Sequence, residues 1–388
     1  MKLNPGDKIV LLGGHLTPAL AVIEELKSRG YYNLSWIGTK FSQTSDRHLS
    51  AEYQLIHNLG LPFYAFRAGK IWRKVTPATF FKAIFNLLLI PYGFIKGFLL
   101  VLSIRPKLII SFGGYLALPV VIAGRLSGAK IVTHEQTISP GIANKLIGFF
   151  ADKILISWPD ARKHFPAKKT VLTGNPLRKE ILRSATSQYT FPNDLPIIYV
   201  TGGNQGANTI NWRLLKILAP VLVQANIIHQ TGSSSLTNDF SLAMAARAKL
   251  NDDLKSRYLV REHIFGDEIG EVFAKAALIV SRSGANTITE ILALGKPSLL
   301  IPLPWSSGDE QLGNAELVAH TGLATILKQY DAMPPEELQH KIESALDQLK
   351  NGRGFNGEDL VKIKEKAAAL VKLNAAAAIL DEIQKLFP

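Results

Sequence analysis

The 388-residue chain contains no cysteine. That excludes disulfide scaffolds, thiolate metal sites and cysteine nucleophiles, and it fits a reducing compartment. Neither of its two glycine-rich turns spells G-x-G-x-x-G, and no Walker lysine follows either one. An NAD site also wants an acid after the second strand of its unit, to bond the ribose hydroxyls. Here those strands end WIGTK and HQTG, without Asp or Glu. A dinucleotide oxidoreductase and a P-loop enzyme therefore fit poorly. There is no D-x-D pair and no His/Asp/Glu cluster near the candidate phosphate turns, so no metal is expected. The opening MKLNPGDKIVLLGG lacks an apolar signal core ahead of a small-residue cleavage site, which points to the cytoplasm. The last absence is local: no acidic residue stands between Glu52 and Glu135.

Over that interval the chain carries positive charge and apolar bulk. Its formal net charge is +13. Arg67, Lys70, Arg73, Lys74, Lys82, Lys96, Arg105, Lys107, Arg125 and Lys130 all lie in the acid-free interval. Such a segment seeks an anion: nucleic acid, a phosphorylated substrate or an anionic membrane. Within it runs FFKAIFNLLLIPYGFIKGFLLVLSI, residues 80–104. Spanning a bilayer takes about twenty predominantly apolar residues. Lys82, Asn86 and Lys96 interrupt this run, and Pro91 with Gly93 is expected to break it into two shorter helices. The first piece suits an interfacial helix, with Trp72, Lys74, Phe80, Phe81, Lys82 and Phe85 facing anionic lipid. The second is expected to pack on a sheet. A core role for both pieces is the plainer alternative.

Hydrophobic residues make up 47% of the chain, and its length suggests two domains. Short apolar runs alternate with helical patterns, the signature of βαβ units and parallel sheets. Strands are expected at residues 8–12, 34–37, 108–111, 130–133 and 153–156, then at 197–201, 226–230, 278–281 and 298–301. A polar stretch with two prolines, residues 183–196, reads as a linker between an N-terminal domain (1–182) and a C-terminal one (197–364). An Ala- and Lys-rich helix is expected over 358–386. In open α/β sheets ligands bind at the carboxyl ends of the strands, so both sheets would offer their loops to a shared cleft.

The richest segment is SRSGANTITEILALGKPSLLIP, residues 281–302. A strand ends, small residues turn the chain, and a helix starts near Ala285 and closes at Gly295. Such a helix N-terminus binds phosphate through free N–H groups and the helix dipole. Glu290 either meets the bound ligand or only complements the dipole. Downstream, Gln311 and Asn314 share a helix face and suit sugar hydroxyls, while Asp309 is a candidate N-cap. In the N-terminal half, turns follow strands at Gly13–Gly14–His15, Gly113–Gly114–Tyr115 and His134–Glu135–Gln136. A lone histidine is usually structural; His15, after two glycines and before a helix, is well placed to meet a ligand.

In this order, Gly13–His15, SFGGY at 111–115, HEQ at 134–136, GNPLR at 174–178, GGNQGA at 202–207, SRSGANTITE at 281–290 and DEQLGNA at 309–315 resemble the MurG family, glycosyltransferase family 28. The resemblance spans almost the whole chain. It implies a GT-B fold, two Rossmann-like parallel-sheet domains, with the last helix returning to the N-terminal domain. It implies inverting transfer of N-acetylglucosamine from UDP-N-acetylglucosamine to undecaprenyl-diphosphate-linked muramyl pentapeptide. That activity belongs to the cytoplasmic face of the membrane, peripherally, with no nucleic acid partner and no cofactor. Matched to the family's pattern, Glu290 holds the UDP ribose. The backbone of Ala285, Asn286, Thr287, Ile288 and Thr289 faces the diphosphate and uridine, and Gln311 and Asn314 meet the transferred sugar. Arg178, Asn204 and Gly14 also lie at the donor. Gly13, Gly14, Gly113, Gly114, Tyr115 and Asn144 approach the acceptor, and His15 or Glu135 serves as base. The first loop departs from the family's G-G-T-G-G-H, with Leu11 and Leu12 directly before Gly13; Asn204 and Thr137 stand where Ser and Asn are usual. Two rivals remain: a UDP-N-acetylglucosamine epimerase of the same fold, and a non-catalytic nucleotide-sugar-binding scaffold at the membrane.

Overall fold

Buried apolar runs, most of them followed by helices, build two wholly parallel sheets in the computed structural model, which describes residues 2–41, 49–69, 80–183, 187–203, 205–234, 237–306 and 309–387, apart from the side chains of Ala51 and Lys82. The chain divides into two compact units, Met1–Leu177 with Lys372–Pro388, and Arg178–Val371. The division falls ahead of the 183–196 stretch. The short 3-10 helix Lys179–Leu182 packs on the helix Asp267–Lys275, where Gly270 lies against the carbonyls of Glu180 and Arg183.

The first sheet comprises β1 (Ile9–Leu12), β2 (Leu34–Gly38), β3 (Phe63–Ala65), β4 (Leu108–Ser111), β5 (Lys130–Glu135), β6 (Lys153–Ile156) and β7 (Thr170–Leu172), in the order β3-β2-β1-β4-β5-β6-β7. Its central strands are covered on both faces, which is why they read as unbroken apolar runs. Ile9, Leu11, Leu108 and Ile110 point to one core layer and Val10, Leu12 and Ile109 to the other. The first layer also takes Ile379, Leu380 and Ile383 of the last helix, Ala375–Gln384. That helix is tied down by Arg29, which donates to Asp381 (2.6 Å) and to the Ala377 carbonyl, and by a Lys153–Glu382 ion pair.

The second sheet comprises β8 (Ile197–Thr201), β9 (Asn226–Gln230), β10 (Tyr258–Arg261), β11 (Ala276–Ser281), β12 (Ser298–Leu300) and β13 (Ala324–Ile326), ordered β10-β9-β8-β11-β12-β13. In each unit the strand order reverses once, between β1 and β4 and between β8 and β11. Those switch points are where open α/β sheets hold ligands.

Two sequence expectations change. The Ala- and Lys-rich terminal helix is two helices, Leu360–Ala369 and Ala375–Gln384, because the chain passes from one unit to the other between them. Helical propensity is high throughout, but Ile363 and Ala367 serve one core and Ile379 and Ile383 another. The apolar segment, in contrast, is one continuous helix, Phe80–Ile104, with Pro91 inside it. Pro91 removes one hydrogen-bond donor. Gly93 and Gly97 do not break the helix; they admit neighbours. A Cβ on Gly93 would fall 2.9 Å from the Ala68 Cβ, and one on Gly97 would touch Phe66 and Pro119. The Gly69 N–H meanwhile donates to the Leu89 carbonyl. The helix packs along one side on the helix Ala117–Leu126, so Val101 and Ile104 are buried.

Candidate active site

At the β1/β4 switch point two glycine turns meet backbone to backbone. A Cβ on Gly14 would fall 2.5 Å from the Gly113 carbonyl oxygen, so no other residue fits there. Gly113 and Gly114 both have φ near +85°, and a Cβ on Gly113 would strike the Asn144 amide. Asn144 organises this turn. Its Oδ1 accepts from the Gly114 N–H (3.0 Å), and its Nδ2 donates to Glu135 Oε2 (2.6 Å). Glu135 Oε1 accepts from both the N–H and the hydroxyl of Thr137 (2.9 and 2.7 Å). The Glu135 carboxyl is fully buried, and burial raises its pKa against the pull of these donors. Both oxygens are thus occupied by the fold. As a base, Glu135 would have to surrender the bond that positions Asn144.

His15 stands between the first glycine turn and the helix Leu16–Ser28 in the N-cap position, without a side-chain capping bond. Burial pushes its imidazole below its ordinary value, so it is neutral at pH 7 and able to accept a proton. His134, beneath the same loops, is a structural residue. Its Nε2–H donates to the Gly174 carbonyl (2.9 Å), Gln136 Nε2 donates to its Nδ1 (3.0 Å), and burial lowers its pKa to about 4. Tyr115 is exposed on the second turn.

The second unit holds a cleft of about 430 Å3 at its own switch point, lined by the β8 turn, the β11 turn and the loop after β12. The β8 turn is pinned by the Gly203 N–H donating to Thr201 Oγ1 and the Gly206 N–H donating to the Gly203 carbonyl, both 3.0 Å. Across it starts the helix Ala285–Leu294, whose N-cap, Gly284, has no side chain to cap it and which Gly295 closes in the left-handed region (φ 58°). The N-terminal dipole of this helix favours an anion in the cleft. Arg282 lines the same wall. Its guanidinium donates to the Ile301 carbonyl, Thr209 Oγ1 and Gln329 Oε1, neutral acceptors all. Burial, and then the charge of Arg213, lowers its pKa to about 10. A bound anion would relieve both penalties.

Glu290 lies further along that helix, nearly fully buried, and its Oε1 accepts from Arg178 Nε at 2.7 Å. Burial works against the Arg178 charge, but Glu290 overrides it and holds the guanidinium above its usual pKa. Gln311 and Asn314 both bond to Ser283, an architectural role. Asn314 is fully buried and donates to the Ser283 carbonyl (3.0 Å), leaving its Oδ1 without a partner among the described residues. Gln311 Oε1 accepts from the Leu303 N–H, and its own carbonyl accepts from Ser283 Oγ (2.6 Å). Asp309 does not cap this helix; it sits in the left-handed region (φ 53°) without a capping bond, and Ser306 Oγ takes the Gln311 N–H instead. Gly284, Thr287 and Gln311 line the cleft, whereas Ala285, Ile288 and Thr289 are buried in the helix's packed face. Asn286 lies beside Thr287 in the first turn.

Asn204, Trp72 and Lys74 lie outside the described residues, as does the Lys82 side chain. Phe80, Phe81 and Phe85 are exposed. The expectation that residues 94–104 merely pack on the sheet needs correction, because Ile95, Leu99 and Leu102 also face outward. Arg282 and Trp305, both on the cleft wall, escaped the sequence reading. An arginine between two serines with no acid close in sequence was the available signal for the first.

The sequence matches the glycosyltransferase family 28 N-terminal domain over residues 12–156 and the family's C-terminal domain over residues 197–371. The UDP-N-acetylglucosamine--N-acetylmuramyl-(pentapeptide) pyrophosphoryl-undecaprenol N-acetylglucosamine transferase 2 of Bacillus anthracis is 32% identical over 372 residues, covering 92% of this chain and 97% of that protein. The corresponding transferase of Citrifermentans bemidjiense is 32% identical, covering 95% and 96%. Among solved structures, Acinetobacter baumannii MurG superimposes with a TM-score of 0.64 at 27% identity, covering 97% of this chain and 99% of that one. A putative UDP-N-acetylglucosamine 2-epimerase from Listeria monocytogenes reaches 0.65 at 13% identity, covering 98% and 96%, a likeness of fold alone.

Proposed function

The chain belongs to glycosyltransferase family 28, and we propose that it moves N-acetylglucosamine from UDP-N-acetylglucosamine to undecaprenyl-diphosphate-linked N-acetylmuramyl pentapeptide. The observation that carries this reading is the end-to-end match to transferases of that name, over 92% of this chain. An acceptor hydroxyl forms the new bond to the anomeric carbon, the bond from that carbon to the diphosphate oxygen breaks, and UDP leaves with the electron pair. His15 takes the hydroxyl proton; its lowered pKa keeps it neutral for the task. Glu135 acts through Asn144, whose Oδ1 takes the Gly114 N–H and so fixes the shape of the turn that approaches the acceptor. The N-terminus of the helix Ala285–Leu294 and the Arg282 guanidinium offset the charge that builds on the leaving group. Glu290, fixed by Arg178, meets the ribose diol; Gln311 and Asn314 meet the sugar. These groups supply the counter-charge, so transfer persists in chelator; activity lost there and restored by magnesium or manganese contradicts this. Incubation with UDP-N-acetylglucosamine and the lipid-linked muramyl pentapeptide yields the lipid-linked disaccharide. UDP release without that product favours hydrolysis or epimerisation, and no turnover favours a scaffold.

The lipid-linked acceptor asks for a membrane-facing surface, and the helix Phe80–Ile104 fits. Phe81, Leu88, Ile95 and Leu102 recur every seven residues along it and are all exposed. The helix Ala117–Leu126 packs in turn on the helix Ile142–Phe150, where Ile142, Leu146 and Phe149 are also exposed. By length and composition the helix could cross a bilayer. Its other side, however, is packed on the helix Ala117–Leu126, and Lys107 directly after it bonds back to the Lys8 carbonyl. Such a helix enters a membrane sideways, to the depth of its outward side chains.

A further inference from the structure

We propose that Trp305 is the platform on which the transferred sugar of the donor stacks. The inference rests on the donor assignment made above and adds a residue to it. Tryptophan side chains are mostly buried in folded proteins. Trp305 is 63% exposed, yet it lines the cleft that the glycine turn, the start of the helix Ala285–Leu294 and Arg282 enclose.

Its setting is rigid. The Ser306 N–H donates to the Leu303 carbonyl (3.1 Å), closing a turn with Pro304 at the first corner and Trp305 at the second. Proline presets the first corner. The Leu303 N–H donates to Gln311 Oε1 (3.0 Å), and the Gln311 N–H donates to Ser306 Oγ (3.2 Å). Both ends of the turn are thus bolted to Gln311, so little conformational freedom remains to be lost when a ligand meets the indole.

The groups beside Trp305 select the part of the donor that reaches it. The anion belongs at the centre, against the helix N-terminus and the glycine turn. Further along the helix Ala285–Leu294, Glu290 is held by Arg178 and its carboxylate suits a ribose diol. At the start of that helix lie Gln311 and Asn314, tied to Ser283 by the Ser283 hydroxyl and the Asn314 amide. Trp305 lines the cleft together with Gln311, to which the next residue, Ser306, is bonded. The Gln311 side-chain N–H groups have no partner among the described residues, and neither does Asn314 Oδ1. An aromatic face beside free amide groups matches a pyranose: C–H bonds on its face, hydroxyls at its edge.

The test is equilibrium titration of the full chain with UDP-N-acetylglucosamine and, separately, with UDP, read by calorimetry and by tryptophan fluorescence. Trp305→Ala is expected to weaken UDP-N-acetylglucosamine about fivefold or more and to leave UDP unchanged. Trp305→Phe keeps most of the affinity but loses the fluorescence change that the sugar nucleotide causes in the native chain. Equal losses for both ligands make Trp305 a uracil platform and overturn the proposal, as does an unchanged affinity for both. Native protein that binds neither ligand overturns the donor assignment itself, a result separable from any effect of the variants.

Discussion

The two units share an architecture and differ in what they do with it. Each is a parallel sheet with glycine turns at a single switch point. In the first, the turns press against each other, and the space beneath them is filled by a buried relay from Glu135 through Asn144 to the Gly114 N–H. In the second, the turns after β8 and β11 line a cleft, and the groups on its wall, Arg282, Gln311 and Trp305, keep charge, hydrogen-bonding capacity or aromatic surface to offer. One unit spends its polar groups on fixing the backbone of its turns, while the other presents side chains directly. The same topology supports both because the sheet fixes only where the loops emerge. Outside the sheets the contrast continues: the first unit carries the long apolar helix Phe80–Ile104 on its surface.

If proton abstraction belongs to the first unit alone, His15→Ala should lower kcat by about a hundredfold or more while the affinity for UDP-N-acetylglucosamine stays put. A near-normal kcat with saturating acceptor would remove His15 from the chemistry. The surface contrast breaks on a triple variant, Phe81→Ser with Leu88→Ser and Ile95→Ser. Sedimentation with vesicles containing anionic lipid should weaken about a hundredfold, since three large apolar side chains no longer leave water. Binding by the native chain should also fall with added salt, and unchanged binding by a folded triple variant would refute the assignment.

Glu290→Ala sharpens the difference from the other side. It should raise the donor KM about tenfold, the cost of a lost bond to a charged group, and leave the acceptor KM alone. The smallest effect is on stability. Each unit buries a neutral histidine: His134, at about pKa 4, and His229, at about pKa 3, both lowered by burial. Unfolded histidine titrates near 6.5. As pH falls below that value the unfolded chain gains protons that the folded chain refuses, so stability drops down to about pH 4 for His134 and pH 3 for His229. Thermal melts should therefore fall with pH in this window, and His134→Gln should flatten the slope for the first unit while His229→Gln does so for the second. Unaltered slopes would show that neither histidine is coupled to folding.

Much of this was legible without a structure. Periodicity and turn chemistry are local properties, so β4, β6, β8 and β9 begin and end where their apolar runs do, and Gly295 closes its helix because a left-handed residue is needed there. The short edge strands β3, β7, β10 and β13 escaped notice, being too brief to show a period. The order of motifs along the chain was enough to reach the family. Partners distant in sequence were not legible. That Arg178 pairs with Glu290, or that a Gly14 side chain would collide with Gly113, follows only from which strands became neighbours. Nor did the sequence disclose that Glu135 faces inward, that Gly93 admits Ala68 where it was expected to break its helix, or that a proline turn holds Trp305 over the cleft. A chain writes its own local conformations directly, through sterics and burial period. Which side chains remain free to act is decided by what tertiary packing has already satisfied.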